Sequence, residues 1–186
     1  MTPWTQTYRD GAVDLLTPHP DTIDPVDIAH HLAHLCRYSG ATRRHYSVAE
    51  HCILLHDWAL LHHGEHVALK ALLHDAHEAY CGDQSSPVKA ALAEIEPATA
   101  DAWRTLTDGI DYAIGLRFGL ERDWWTDPLV READLRIVLD ERAALLGDPP
   151  RDWGIDVEPL GVHVSYFSMI DAGQQWLKRL RAHRGR

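Results

Sequence analysis

Three stretches of this chain with helical periodicity each carry a metal-ligand type of side chain inside their own apolar stripe. Helical spacing through Leu72-Leu73-His74-Asp75-Ala76-His77-Glu78-Ala79 puts Ala68, Ala71, Leu72, Asp75 and Ala79 on one face. His51 falls in line with Leu54, Leu55 and Trp58, and Asp134 sits between Val130 and Ile137-Val138. An unpaired carboxylate in a core is costly, so such a group is neutralised, paired or bound to a metal. As plain core design the pattern is poor. As a site where three helices meet around a cation, it is reasonable.

The rest of the chain reads as helices and short loops. Residues 1 to 22 suggest an extended arm or hairpin followed by loop, and Asp24-Pro25 supplies a cap and first-position proline for a helix carrying Ile28, Ala29, Leu32 and Leu35. Arg37 to Tyr46 is a basic, glycine-containing loop. Ser47-Val48-Ala49-Glu50 has the form of a capping box, which starts a helix running to about His62. A further helix is predicted from about Glu65 to Tyr80, stopping at Gly82, then a short one over Val88 to Ile95. A long helix follows Pro97 and ends near Gly119; another begins at the Asp127-Pro128 cap and reaches about Leu146. Ser165 is the expected cap of a last helix with Phe167, Ile170, Leu177 and Leu180 inward. The β-branched runs that a parallel sheet needs are missing. The expectation is a single all-α domain of six or seven helices, with a motif core at about 24–145, a short N-terminal arm and a C-terminal packing helix.

Charge and cysteine content narrow the partners. A formal charge of -10 argues against a general nucleic-acid binder, which shows a basic patch or stripe. Any phosphate must be held by local positive charge or a metal. Cys36, Cys52 and Cys81 are isolated and odd in number, so they read as small apolar residues of a reducing compartment. The N-terminus lacks a basic segment followed by an apolar run, and no stretch approaches the roughly 20 apolar residues of a membrane span. A cytoplasmic protein with no membrane partner is expected.

His51, His74, Asp75 and Asp134 can be drawn around one divalent ion, Zn, Mn, Co, Ni, Fe or Mg, with positions left for water and substrate. Glu78, one turn beyond His74 and Asp75, is placed to touch a water or leaving oxygen at the ion without being a ligand. With Tyr46-Ser47-Val48-Ala49-Glu50-His51, His74 to Asp83, Pro87-Val88-Lys89 and Glu132-Ala133-Asp134 in this order, the chain resembles the HD-domain phosphohydrolases. The similarity is greatest to bacterial 5′-deoxynucleotidases and bacteriophage dATP triphosphohydrolases. The resemblance implies an HD-type helical bundle, the four-residue metal set above, and catalytic help from Glu78. It also implies a nucleotide pocket that includes Asp83, phosphate contacts from Arg37 and Lys89, and a homo-oligomer.

The residues alone leave alternatives open: Arg37 could be a helix C-cap, Lys89 a solvated side chain, and Asp83 a turn cap. His77 has no assigned role. Trp124-Trp125 could form an interface or ordinary core. The leading expectation is a metal-dependent phosphohydrolase of a small deoxynucleotide, leaning to dATP, with a deoxynucleoside 5′-monophosphate as the competing substrate. A cyclic-dinucleotide or alarmone phosphodiesterase is weakly supported, because dinuclear relatives need further histidines and none lies between Glu78 and Val162. The non-enzymatic alternative is a catalytically silent HD module used for regulation or nucleotide binding.

Overall fold

A computed structural model describes residues 2–184. The described residues form an all-α bundle of seven helices of nine residues or more and one single-turn helix, with a two-stranded hairpin at its edge. The expected arm is that hairpin: β1 (Trp4–Gln6) pairs antiparallel with β2 (Ala12–Asp14), and Val13 is fully buried beneath it. Tyr8 stacks on His30 with ring centroids 3.7 Å apart, and its backbone N–H donates to His31 Nε2. Those two histidines seat the arm on α1 (Pro25–His34).

Asp24 caps α1 through Val26 N at 2.7 Å, and Ile28, Ala29, Leu32 and Ala33 turn inward. α2 (Val48–His63) starts at Ser47, whose hydroxyl accepts from Glu50 N. Only this half of the expected capping box forms. The Glu50 carboxylate instead accepts backbone N–H groups of Ser165, Tyr166 and Phe167 at 2.8, 2.8 and 3.0 Å. That distant segment leaves three donors without partners of its own, and a fully buried carboxylate satisfies them.

α3 (Glu65–Leu73) follows the turn at Gly64, whose φ of 84° suits glycine. The helix expected to continue to Tyr80 breaks at Leu73. His74–His77 form tight turns, and α4 is the single turn Glu78–Cys81. The reason is local. His74 Nδ1 bonds the Ala71 carbonyl at 2.8 Å, the acceptor that an unbroken helix would offer to Asp75 N–H. The backbone then proceeds by i→i+3 bonds, Ala76 to Leu73, Glu78 to Asp75 and Ala79 to Ala76.

α5 (Ser86–Ile95) lies on α6 (Ala98–Phe118) and buries no residue fully. Trp124 is core and Trp125 packs half-buried against it: Trp124 Nε1 donates to the Asp111 carbonyl, and Trp125 Nε1 to Asp108. The indole of Trp124 lies so close to Gly115 that a β-carbon there would sit 2.7 Å from it.

α7 (Pro128–Leu145) buries Val130, Ala133 and Ile137 against α2 and α3, and Leu145 against Tyr46 and Val164. Buried Lys70 of α3 pairs with Asp127, the α7 cap, and with Glu121, which fixes the two helices relative to one another. α8 (Met169–Arg184) starts later than Ser165; Ser168 is the residue whose hydroxyl accepts from Asp171 N. Its inward face is Ala172, Trp176 and Leu180, and Trp176 Nε1 donates to the Leu72 carbonyl. Ile170, expected inward, is 72% exposed, because it stands two residues before Ala172 and so about 200° around the helix from it. No helix among the described residues is long and apolar enough to cross a membrane.

Candidate metal centre

The four sequence-predicted ligands come together. His51 Nε2 lies 3.1 Å from Asp134 Oδ1, 3.2 Å from His74 Nε2 and 3.6 Å from Asp75 Oδ2. His74 Nε2 is 3.1 Å from Asp75 Oδ2 and 3.9 Å from Asp134 Oδ1. Donor atoms about 2.1 Å from a shared ion are roughly 3.0 Å apart at right angles and 3.4 Å apart in a tetrahedron, so these separations fit one cation. The break after α3 aids this, because tighter turns bring His74 and Asp75 to a common point.

The orientation of the rings supports the same conclusion. His51 Nδ1 is bonded to Glu141 Oε1 at 2.6 Å and His74 Nδ1 to the Ala71 carbonyl, both acceptors. Each Nδ1 therefore carries a proton, and in the neutral ring each Nε2 presents a lone pair to the cluster. Two ring nitrogens and two carboxylate oxygens converge, with Arg37 Nη1 3.4 Å from Asp75 at their edge. A divalent cation fits that donor set. Asp134 is the exposed member, its side chain 43% accessible, so the ligand shell opens on one side.

Glu141 was not singled out from the sequence, yet it organises the site. Fully buried, it accepts from His51, from Tyr46 OH at 2.8 Å and from Tyr38 OH at 2.5 Å, and pairs with Arg37 Nη2 at 3.3 Å. Burial alone would raise its carboxyl, but Arg37 and His51 outweigh that and hold it at about 2. The signal was available: Glu141 lies seven residues after Asp134, on the same stripe as Ile137 and Leu145. Tyr38 and Ser39 have φ of 55° and 52°, a backbone region that costs a residue with a side chain about 1–3 kcal/mol. The Tyr38–Glu141 bond helps to hold that turn.

A cleft of about 850 Å³ opens beside Asp75 and Asp134. Glu78, Arg37, Asp83 and Lys89 all line it. Burial raises the Glu78 carboxyl well above its ordinary range, the charges of Asp75 and Asp83 add to this, and its Oε2 is buried without a partner among the described residues. For Asp75 burial also works upward, but His74, His51 and Arg37 outweigh it and hold the carboxyl well below the usual range. Burial raises Asp83 too. Arg37 is more committed than expected, since both terminal nitrogens face carboxylates. Arg131, not anticipated from the sequence, adds a third cation to the cleft. His77 faces away from the cluster and bonds Asp111 at 3.2 Å, tying the broken turn to α6. The three cysteines are free thiols; Cys52 is fully buried, the other two half-buried.

No family model matches the chain. It is 39% identical over 122 residues to an uncharacterized protein of Rhodobacter capsulatus, a match that covers 63% of this chain and 59% of that protein. It is 33% identical over 130 residues to the uncharacterized protein YfdR of Escherichia coli, covering 70% and 61% respectively. The chain thus matches about 60% of the length of these curated relatives, whose names state no activity.

Proposed function

We propose that this chain is a metal-dependent phosphohydrolase of deoxynucleotides, acting in the cytoplasm, with dATP as the leading substrate. A deoxynucleoside 5′-monophosphate is the competing one. The observation that carries the proposal is the convergence of two imidazole nitrogens and two carboxylate oxygens from three helical segments, at the wall of a cleft that also presents cations.

A divalent ion held by His51, His74, Asp75 and Asp134 would supply Lewis-acid stabilisation of phosphoryl charge and lower the pKa of water. The chain's own residues account for the rest. Glu78, whose carboxyl is pushed well above its ordinary range by burial and by the charges of Asp75 and Asp83, is suited to give a proton to the leaving oxygen. Arg37, with Lys89 and Arg131, would orient phosphate oxygens, which is most of what a phosphoryl-transfer site does. Asp83 faces the same cleft from the end of the turn after α4, where it can accept a hydrogen bond from a sugar hydroxyl.

The test is a panel of common dNMPs, dNTPs and NTPs with Mg, Mn, Co, Ni, Zn and Fe(II), scored by product chromatography, together with metal analysis. Deoxynucleotide turnover that depends on added or retained metal supports the proposal. Absence of any bound divalent ion and of turnover across the panel would favour a silent binding module.

A further inference from the structure

The cleft is lined by two unlike sets of side chains. Asp75 and Asp134 of the ligand cluster line it with Glu78, Asp83 and Lys89, and Tyr38, Leu135, Val138, Leu146, Trp153 and Ile155 give it a largely apolar wall. We infer that this wall is the seat of the substrate's base, and that Trp153 is the specificity-determining contact. The inference rests on the phosphohydrolase reading for its ligand class and names a part of the ligand which that reading leaves unplaced.

Trp153 belongs to the irregular stretch between α7 and α8, which had no role in the sequence reading. It is 37% exposed, unlike Trp124 and Trp176, which are buried and bonded inside the core. Its ring is propped rather than buried. The Arg142 guanidinium lies 5.3 Å from the ring centroid, and the Tyr38 ring 6.1 Å away at a tilt of 38°. Farther along, the stretch is tied to α7: Arg136 donates to the carbonyls of Glu158 and Pro159, and Asp140 accepts from Leu160 N and Gly161 N. An aromatic side chain held half-exposed at a cleft wall by a cation and a second ring is a stacking platform.

The spacing decides how a base would lie. Insertion between two rings needs two contact distances, about 7–8 Å in all, and 6.1 Å with a tilt leaves no such gap. Tyr38 and Trp153 are therefore one continuous surface, on which a base packs by a single face. The Tyr38 hydroxyl is already given to Glu141, and the other four side chains are apolar, so the wall reads planarity and apolar area. A nucleotide lying across the cleft would have its base on this wall and its phosphates toward the ligand cluster.

The experiment compares dATP with its base-free counterpart, 2-deoxyribose 5-triphosphate, in wild type, Trp153→Ala and Trp153→Phe. Dissociation constants come from equilibrium dialysis in the metal-loaded protein, and phosphate release is measured separately. Loss of one stacked base contact should weaken dATP by about 5- to 150-fold in the alanine variant. Binding of the base-free triphosphate should stay unchanged, and phenylalanine should restore most of the loss. If wild type binds the two ligands equally, or if Trp153→Ala weakens both alike, the inference is overturned. Phosphate release then judges the phosphohydrolase reading independently. Base-dependent binding without hydrolysis would remove that reading and leave the wall; hydrolysis without base dependence would do the reverse.

Discussion

Replacing Glu141 by glutamine tests whether the metal set depends on a residue that touches no ion. The carboxylate fixes the His51 tautomer through a 2.6 Å bond and is held by two tyrosine hydroxyls and Arg37. Glutamine keeps the shape but replaces one acceptor oxygen by a donor and removes the charge. Partners that orient a metal-binding histidine in this way are worth about 10–100-fold in metal affinity, or roughly 1.4–2.8 kcal/mol. A chelator-competition titration of wild type and Glu141→Gln with zinc or manganese should read that loss. The metal-free protein gives a second measurement. The carboxyl sits at about 2 instead of an ordinary 4.5. A folded-state value below the unfolded one stabilises the protein fully above about pH 4.5 and progressively less as pH falls toward 2. A depression of that size corresponds to about 3 kcal/mol at neutral pH, an upper bound for the gap in unfolding free energy that should shrink between pH 4.5 and 2. Metal affinity within twofold of wild type, alongside lowered stability, would make Glu141 a purely structural residue and refute the tautomer argument.

Asp134→Ala should lose retained metal and turnover together, as should His74→Ala and Asp75→Ala; full metal occupancy in the Asp134 variant, measured by elemental analysis, would remove it from the shell. Glu78→Gln should keep the ion and slow turnover by about 10²–10⁴-fold, and near-normal kcat would reduce Glu78 to a packing residue. Asp83→Ala should narrow the ratio of kcat/KM for dATP over ATP, whereas Arg37→Ala and Lys89→Ala should raise KM for both sugars. An unchanged ratio in the Asp83 variant would end the sugar-sensing role.

What the chain discloses by itself is whatever a single helix can encode. A ligand-type side chain in an apolar stripe is visible in a window of about two turns, and that is why His51, His74, Asp75 and Asp134 could be read before any contact was known. The helices between them were legible for the same reason, through Asp24, Ser47 and Asp127 as caps. Glu141 carried the same local signal, but its meaning lies in bonds to His51 and Tyr46, 90 and 95 residues away along the chain. Glu50 looked like half of a capping box and is instead the anchor of a backbone segment 115 residues downstream. The break after Leu73 followed from a competition that spacing does not weigh, His74 Nδ1 against a backbone N–H for one carbonyl. Trp153 shows the limit most plainly. An irregular stretch has no periodicity from which to infer a face, so only packing against Arg142 and Tyr38 could turn an ordinary tryptophan into a wall of the cleft. Periodicity determined which side chains had to find partners; the folded chain, by closing long loops, determined which partners they found.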